Sequence, residues 1–246
     1  EASDQIHSSK ETGAVDMFGD VSLVDISGYE IEEFTESELL NKELECFGYY
    51  FSQHPLITIR NCISSRTKPI NKLQVSGQEK FLPVLIHKKR IRQKGSQVSI
   101  WLEVSDETGN LDVSIPRELH DNKKELFKEN SIVMLKGKFS HDDFREDARI
   151  RMRASDIMSI EDSRNHLTTK LCLEIDRANM KKIGNGQFPE LKELESDKGV
   201  DVFIRINDEE LNLSSEFKVD NFKISLEDST FEKLNKLFGE EKYKLY

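Results

Sequence analysis

From Phe81 to Ile160 the chain alternates apolar and polar residues in short runs broken by Gly, Asn, Asp and Lys, the period-two pattern of strands. Phe81-Leu-Pro-Val-Leu-Ile-His runs straight into Lys88-Lys-Arg-Ile-Arg-Gln-Lys-Gly. Gly95 then permits a tight reversal into Gln97-Val-Ser-Ile-Trp-Leu-Glu-Val, so a hairpin with a cationic tip is expected. A second turn, Asp106-Glu-Thr-Gly-Asn, leads to Leu111-Asp-Val-Ser-Ile. A helix is predicted over residues 117–128, and two further strands over 132–139 and 150–160. Upstream, Leu40, Leu44, Phe47 and Phe51 fall close to one stripe of an amphipathic helix over 36–51. Ser52-Gln-His-Pro ends that helix, because Pro55 disfavours helical geometry at His54.

Five short strands with a helix between the third and fourth is the order of an OB-fold β-barrel, an architecture that most often binds oligonucleotides. Beyond residue 161 the pattern changes. Lys170-Leu-Cys-Leu-Glu-Ile reads as a strand, residues 180–195 as a helix interrupted near Gly184-Asn-Gly, and Val200-Asp-Val-Phe-Ile-Arg-Ile and Phe222-Lys-Ile-Ser-Leu as strands. Ser229 to Phe238 reads as a capped helix and Tyr243-Lys-Leu-Tyr as a last strand. The fold class is therefore mixed: a five-stranded OB-fold β-barrel over 81–160 and a small α+β C-terminal domain over 161–246. A flexible acidic tether (1–35) and a helical connector (36–80) precede them. With 246 residues and 28.5 kDa, two small domains can each bury a core.

The formal charge of −10 argues against a polyanionic partner only until its distribution is read. Residues 1–45 hold 2 basic and 13 acidic side chains, whereas 81–160 hold 15 and 13. Within the barrel, Lys88, Lys89, Arg90, Arg92 and Lys94 are unrelieved by any acid, and Arg145, Arg149, Arg151 and Arg153 crowd the last hairpin. Two cationic clusters at the strand ends of one barrel favour single-stranded DNA as a partner. The candidate contacts are Lys88, Lys89, Arg90, Arg92, Lys94, Arg149, Arg151 and Arg153, with Phe139 as a stacking platform; Trp101 is expected rather to fill the barrel interior. Cys46, Cys62 and Cys172 show no Cys-x-x-Cys spacing, no apolar run approaches the roughly 20 residues of a membrane span, and no stretch reads as a signal peptide. A reducing, cytoplasmic compartment and no membrane partner are expected.

Chemistry is harder to find. Asp142-Asp143 beside His141 is the obvious acidic pair, and it falls in a turn; Gly184-Asn-Gly lacks the preceding strand and third glycine of a dinucleotide loop. His54 has no carboxylate or cysteine at ligand spacing and reads as a hydrogen-bonded turn histidine. No Gly-x-Ser-x-Gly, His-Glu-x-x-His or Gly-Lys-Ser/Thr loop occurs. No catalytic residue, metal or cofactor is expected.

The run Glu45-Cys-Phe-Gly-Tyr-Tyr-Phe-Ser-Gln-His-Pro-Leu, followed by a basic connector and a barrel with Asp106-Glu-Thr-Gly, resembles the C-terminal region of the bacterial replicative DNA polymerase, polymerase III alpha subunit. Phe47 stands where that family usually has Leu. The resemblance implies a short upstream motif that docks on the ring-shaped sliding clamp, with Asp16, Met17 and Phe18 in its place and Ala14 where a glutamine is usual. It also implies that residues 161–246 bind the tau subunit of the clamp loader. An exposed apolar patch on the final helix, with Phe231, Leu234, Leu237 and Phe238 as anchors, would serve that contact. The alternative is an anticodon-binding OB-fold domain of an aminoacyl-tRNA synthetase, although 161–246 is too short for the catalytic domain that should follow.

Overall fold

Strand β1 (Lys80–Lys94) belongs to both halves of a closed barrel of strand order β1-β2-β3-β5-β4, seen in a computed structural model that describes residues 34–95, 97–141, 150–175, 189–208, 213–239 and 242–246. Its first part, Lys80–Leu85, pairs antiparallel with β4 (Ile132–His141), and from Leu85 onward it pairs with β2 (Gln97–Asp106). A bulge at His87 lets the strand bend from one partner to the other. β3 (Gly109–Ile115) follows β2 antiparallel and closes the barrel in parallel against β5 (Ile150–Met158). This is the OB-fold barrel that the sequence predicts. The alternation places Leu82, Val84, Ile100, Leu102, Val113 and Leu135 inside, and Phe127 joins the same core.

Several elements differ from their sequence-based limits. The cationic run is no loop: β1 continues through it to Lys94, because each residue finds a partner on β2. The central helix is shorter than predicted, with α3 (Arg117–Asn122) giving way to a 3-10 turn, Lys124–Leu126. In the connector, α1 (Glu36–Phe47) stops four residues early. Gly48 takes φ +75°, a left-handed ending that costs glycine nothing, and its N–H reaches the Leu44 carbonyl at 3.0 Å. Leu40 is buried but Phe47 and Phe51 are exposed, so the expected stripe breaks.

The rest of the connector carries a short α2 (Leu56–Ile59) and two 3-10 turns, Arg60–Cys62 and Ile70–Lys72, and it packs on both sheets. Leu56 and Ile63 join Met134 of β4 and Leu167 of α4 (Ile160–Leu167) in one cluster. Cys62 belongs to the core of the second sheet, and Ser65 N–H donates to the Leu245 carbonyl at 2.9 Å. Connector, barrel and second sheet thus lie in one compact unit, Glu36–Tyr246.

The second sheet is mixed, in the order β8-β7-β6-β9. β6 (Lys170–Ile175) runs parallel to β7 (Glu195–Asp208) and antiparallel to β9 (Tyr243–Leu245), while β8 (Leu213–Ile224) extends the β7 hairpin. Of the helix predicted over 180–195, residues 180–188 with Gly184-Asn-Gly lie outside the described residues; Pro189–Lys192 is helical (α5), and the end of the prediction is corrected, since Glu195 already starts β7. Helix α6 (Asp228–Phe238) corrects the docking anchors as well. Phe231 and Leu234 are buried against the sheet, and Phe238 packs on the same core, so the apolar stripe of α6 is used internally; Leu237 is only half-buried.

Gly137 marks where β4 coils onto β5. A Cβ there would collide with the Arg153 carbonyl, Met152 Cε and Ala154 Cα, where the register shifts between Lys136 and Gly137. Gly137→Ala should therefore cost about 2 kcal/mol or more in chemical denaturation, as overpacking against backbone does, whereas Gly77→Ala, in open space, should cost little.

Candidate nucleic-acid interface

Strand alternation divides the cationic run of β1 between two faces. Lys88, Arg90 and Arg92 pair with Glu103, Trp101 and Ser99, which point outward between the buried Ile100, Leu102 and Val104. Lys89 pairs with Leu102 on the other side, and its backbone N–H donates to Glu129 Oε1 at 3.0 Å. The five cations read as one cluster are therefore not one surface, because successive strand residues face opposite ways. Across the barrel seam, Asp112 and Ser114 of β3 pair with Arg151 and Arg153 of β5, and Arg153 in turn pairs with Lys138 of β4. Lys88, Arg90 and Arg92 thus stand on one side of β2 and β3, and Arg151, Arg153 and Lys138 on the other.

Trp101 lies at the middle of this outer face. It is half-buried, with the Arg151 guanidinium 5.7 Å from its ring centroid, which corrects its expected place in the barrel interior. Phe139 is the reverse case. It is 3% exposed in the barrel core and has no face to offer a base, because Leu135, Gly137 and Phe139 share the inward side of β4. Arg90 is ion-paired with Glu103, both about half in solvent, a pairing that a phosphate can displace at little cost. Arg149 and the side chain of Lys94 lie outside the described residues, as do Arg145, Asp142 and Asp143 and the clamp motif Asp16, Met17 and Phe18 with Ala14.

A cleft of about 840 Å³ crosses the barrel beside this face and is bordered by Asn71, Arg90, Glu103, Asp112 and Arg151. A second cavity of about 420 Å³ shares His87 and Asn110 with it and extends to the connector, where Tyr49, Phe51 and His54 form its wall. Sequence reading did not find this second cavity. Its floor is a chain of hydrogen bonds: Leu56 N–H donates to His54 Nδ1 at 3.2 Å, so His54 carries its proton on Nε2 and donates to Ser105 Oγ at 2.8 Å. The Ser105 hydroxyl is then left to donate to His87 Nε2 at 2.5 Å. His54 is thus the hydrogen-bonded turn histidine that the sequence suggests.

Two carboxylates fix the connector strand of this cavity. Glu43 Oε2 accepts from the backbone N–H groups of Phe51 at 3.0 Å and Ser52 at 3.3 Å, holding the loop that carries Tyr49 and Phe51. Desolvation pushes the Glu43 carboxyl up, but hydrogen bonds from Ser52 and Phe51 outweigh it and leave the group below the ordinary glutamate range. Asp106, fully buried, accepts from Thr108 N–H (2.7 Å), Thr108 Oγ1 (2.6 Å) and Gly109 N–H (3.0 Å) in its own turn, and from Ile70 N–H of the connector at 2.6 Å. Among the described residues no group of three or more His, Cys, Asp or Glu is placed to hold a metal ion, and no helix is long and apolar enough to cross a membrane.

No family model matches the chain. Curated relatives do: the alpha subunit of DNA polymerase III from Pseudomonas fluorescens is 23% identical over 187 residues, 73% of this chain and 16% of the relative. That of Haemophilus influenzae is 25% identical over 202 residues (78% and 17%), and that of Bacillus subtilis 33% over 113 (44% and 10%). This chain is similar to part of the DNA polymerase III alpha subunit. The resemblance read from its sequence is borne out, and the chain spans less than a fifth of the length of these relatives. Among solved structures, asparaginyl-tRNA synthetase from Pyrococcus horikoshii complexed with asparaginyl-adenylate is 14% identical, with a TM-score of 0.32 over 39% of this chain and 22% of that one. The second OB-fold domain of replication protein A from Methanococcus maripaludis is 16% identical, with a TM-score of 0.29 over 39% of this chain and 95% of that one. A replication protein A heterotrimer bound to ssDNA is 11% identical, with a TM-score of 0.31 over 61% and 36%.

Burial holds the His54 imidazole below the ordinary histidine range; the charges of Glu107 and Asp106 oppose this and those of His87 and Arg60 reinforce it. Protonating His54 therefore costs more in the folded chain than in the unfolded one, so its contribution is complete above the unfolded pKa, about 6.5, and is lost as pH falls through the lower folded value. The urea midpoint should decline below about pH 6.5, and His54→Gln should flatten that limb; an identical decline in the variant would exclude His54 as its source.

Proposed function

We propose that this chain is a non-catalytic, C-terminal portion of a bacterial replicative DNA polymerase alpha subunit, working in the cytoplasm, whose barrel holds single-stranded template DNA. The observation that carries this reading is the outer face of β2 and β3, where Trp101 is flanked by Lys88, Arg90 and Arg92 on one side and Arg151 and Arg153 on the other. Strands 2 and 3 form the ligand face of OB folds, and cations on both sides of an aromatic ring suit a strand whose phosphates and bases alternate. Glu103 and Asp112 temper the positive field, which suits a strand that must slide through rather than lodge.

The resemblance supports two further contacts. Asp16-Met-Phe docks on the sliding clamp, weakly because Ala14 replaces the usual glutamine, and the second sheet docks on the tau subunit. Since Phe231 and Leu234 are spent on the core, the tau contact falls to the open edge β8, where Phe217 is exposed.

The DNA reading is tested by titrating the full chain with a single strand across a salt series. Each phosphate neutralised contributes about 0.7 to the logarithmic salt slope, so Lys88→Glu, Arg90→Glu and Arg92→Glu together should weaken binding and reduce the slope by about 2. An unchanged slope would move the interface elsewhere. For the clamp, Ala14→Gln should tighten binding of a peptide carrying Asp16-Met-Phe, and Met17→Ala with Phe18→Ala should remove it; equal binding of native and double-alanine peptides in a fluorescence titration would reduce the motif to a chance apolar patch.

A further inference from the structure

A face that holds single strands combines a cationic track with exposed aromatic rings, yet the barrel offers few of the latter: Phe139 is buried and one face of Trp101 is occupied by Arg151. Exposed rings occur instead on the connector. Phe47, Tyr49 and Phe51 are 59%, 61% and 63% exposed, and they touch one another, with centroids 5.4 Å apart for Phe47–Phe51 and 6.4 Å for Tyr49–Phe51. Three large rings held together in water are costly unless something covers them.

Their setting indicates what does. The loop that carries them is tied to Glu43 through two backbone amides, so Tyr49 and Phe51 are presented in a fixed geometry. They form the apolar wall of the 420 Å³ cavity, a size within the roughly 300 to 1,000 Å³ of small-ligand sites. The rest of the lining is largely polar: the amides of Asn110 and Asn130 supply both donors and acceptors beside the ring of His87, and Asp106 there is engaged by its own turn and the connector. Asn130 is held there by its own backbone, at φ 60° with its N–H on the Ile86 carbonyl at 2.7 Å. His87 and Asn110 line both this cavity and the cleft bordered by Arg90 and Arg151, so the two are neighbours. Aromatic rings beside amides, next to a cleft bordered by Arg90 and Arg151 as well as Glu103 and Asp112, match a planar heterocycle carried on a polyanion.

We propose that this cavity receives an unstacked nucleobase of the single strand, which stacks on one of the Tyr49 and Phe51 rings and meets the other edge-on, the two planes lying 63° apart, while Asn110, Asn130 and His87 meet its polar edge. The proposal rests on the DNA reading of the barrel and extends it to the connector. The strand then runs from the outer face of β2 and β3 past His87 to the loop after α1, and the connector becomes part of the binding surface.

The test uses the full chain, a thymidine oligonucleotide of roughly 16 residues, the upper site size of one OB fold, and its abasic counterpart. Tyr49→Ala with Phe51→Ala should weaken binding of the thymidine strand about tenfold or more with the salt slope unchanged, and should narrow the affinity gap between the two strands. In a Phe51→Trp variant, indole fluorescence should be quenched by a bromouracil strand beyond the quench that Trp101 alone gives in the wild type. If the double variant bound both strands as the wild type does while the β1 charge reversals still weakened binding, the base pocket would be refuted and the rings would serve a protein contact. Absence of strand binding by the wild-type chain would overturn the pocket and the DNA reading together.

Discussion

The buried carboxylate of Asp106 is the constraint on which the arrangement of barrel and connector depends. An ionised carboxylate out of water costs several kcal/mol unless its lone pairs are taken up. Here one oxygen is satisfied within the β2–β3 turn by Thr108 and Gly109, and the other is hydrogen-bonded by the Ile70 amide, 36 positions away. Arg60 lies 3.7 Å from the same oxygen and also bonds Glu107 at 2.5 Å. Removing the connector would take away the Ile70 amide and the Arg60 guanidinium from that oxygen, so the buried carboxylate ties the turn to the connector. Ile70 and Leu73 are thereby brought against the barrel core, and Tyr49 to His54 are brought to face Ser105.

A buried guanidinium does the same on the other side. Arg164 of α4, with its side chain 5% exposed, donates to the Cys62 carbonyl at 2.9 Å, pairs with Asp228 at the start of α6, and lies 4.8 Å from the Phe231 ring centroid. Its contacts link the connector to the second sheet, and the fixed fork of arginine suits several partners at once. Barrel and second sheet are thus related through the connector as well as through the α4 junction. The second sheet keeps its charges in a network of its own, in which Lys170 and Arg205 bond Glu216, and Arg205 and Lys244 bond Glu174. Cations so paired are poorly placed to attract a polyanion, whereas those beside Trp101 outnumber the acids near them.

Much of this was legible in the sequence because it is periodic. Alternation over residues 81–160 determined the strands, their order and the barrel; the same rule, applied strictly, also assigns Trp101 to the side of Glu103 and Phe139 to the side of Leu135. The 3-4 spacing of Phe231, Leu234 and Phe238 marked a stripe whose direction, read outward as docking anchors, only the structure decided to be inward; the sequence determined the resemblance of the chain, through Gly48-Tyr-Tyr-Phe-Ser-Gln-His-Pro and the barrel that follows. Only the tertiary structure decided which cations share a face, since the bulge at His87 sets the phase of β1 against β2. It alone brought His54, His87 and Ser105 together, joined the Asp106 turn to Ile70, and left Tyr49 and Phe51 bare beside a polar wall. Those contacts join groups from 18 to 51 positions apart. Hydrogen bonds over such separations obey no period, so no local pattern of residues records them.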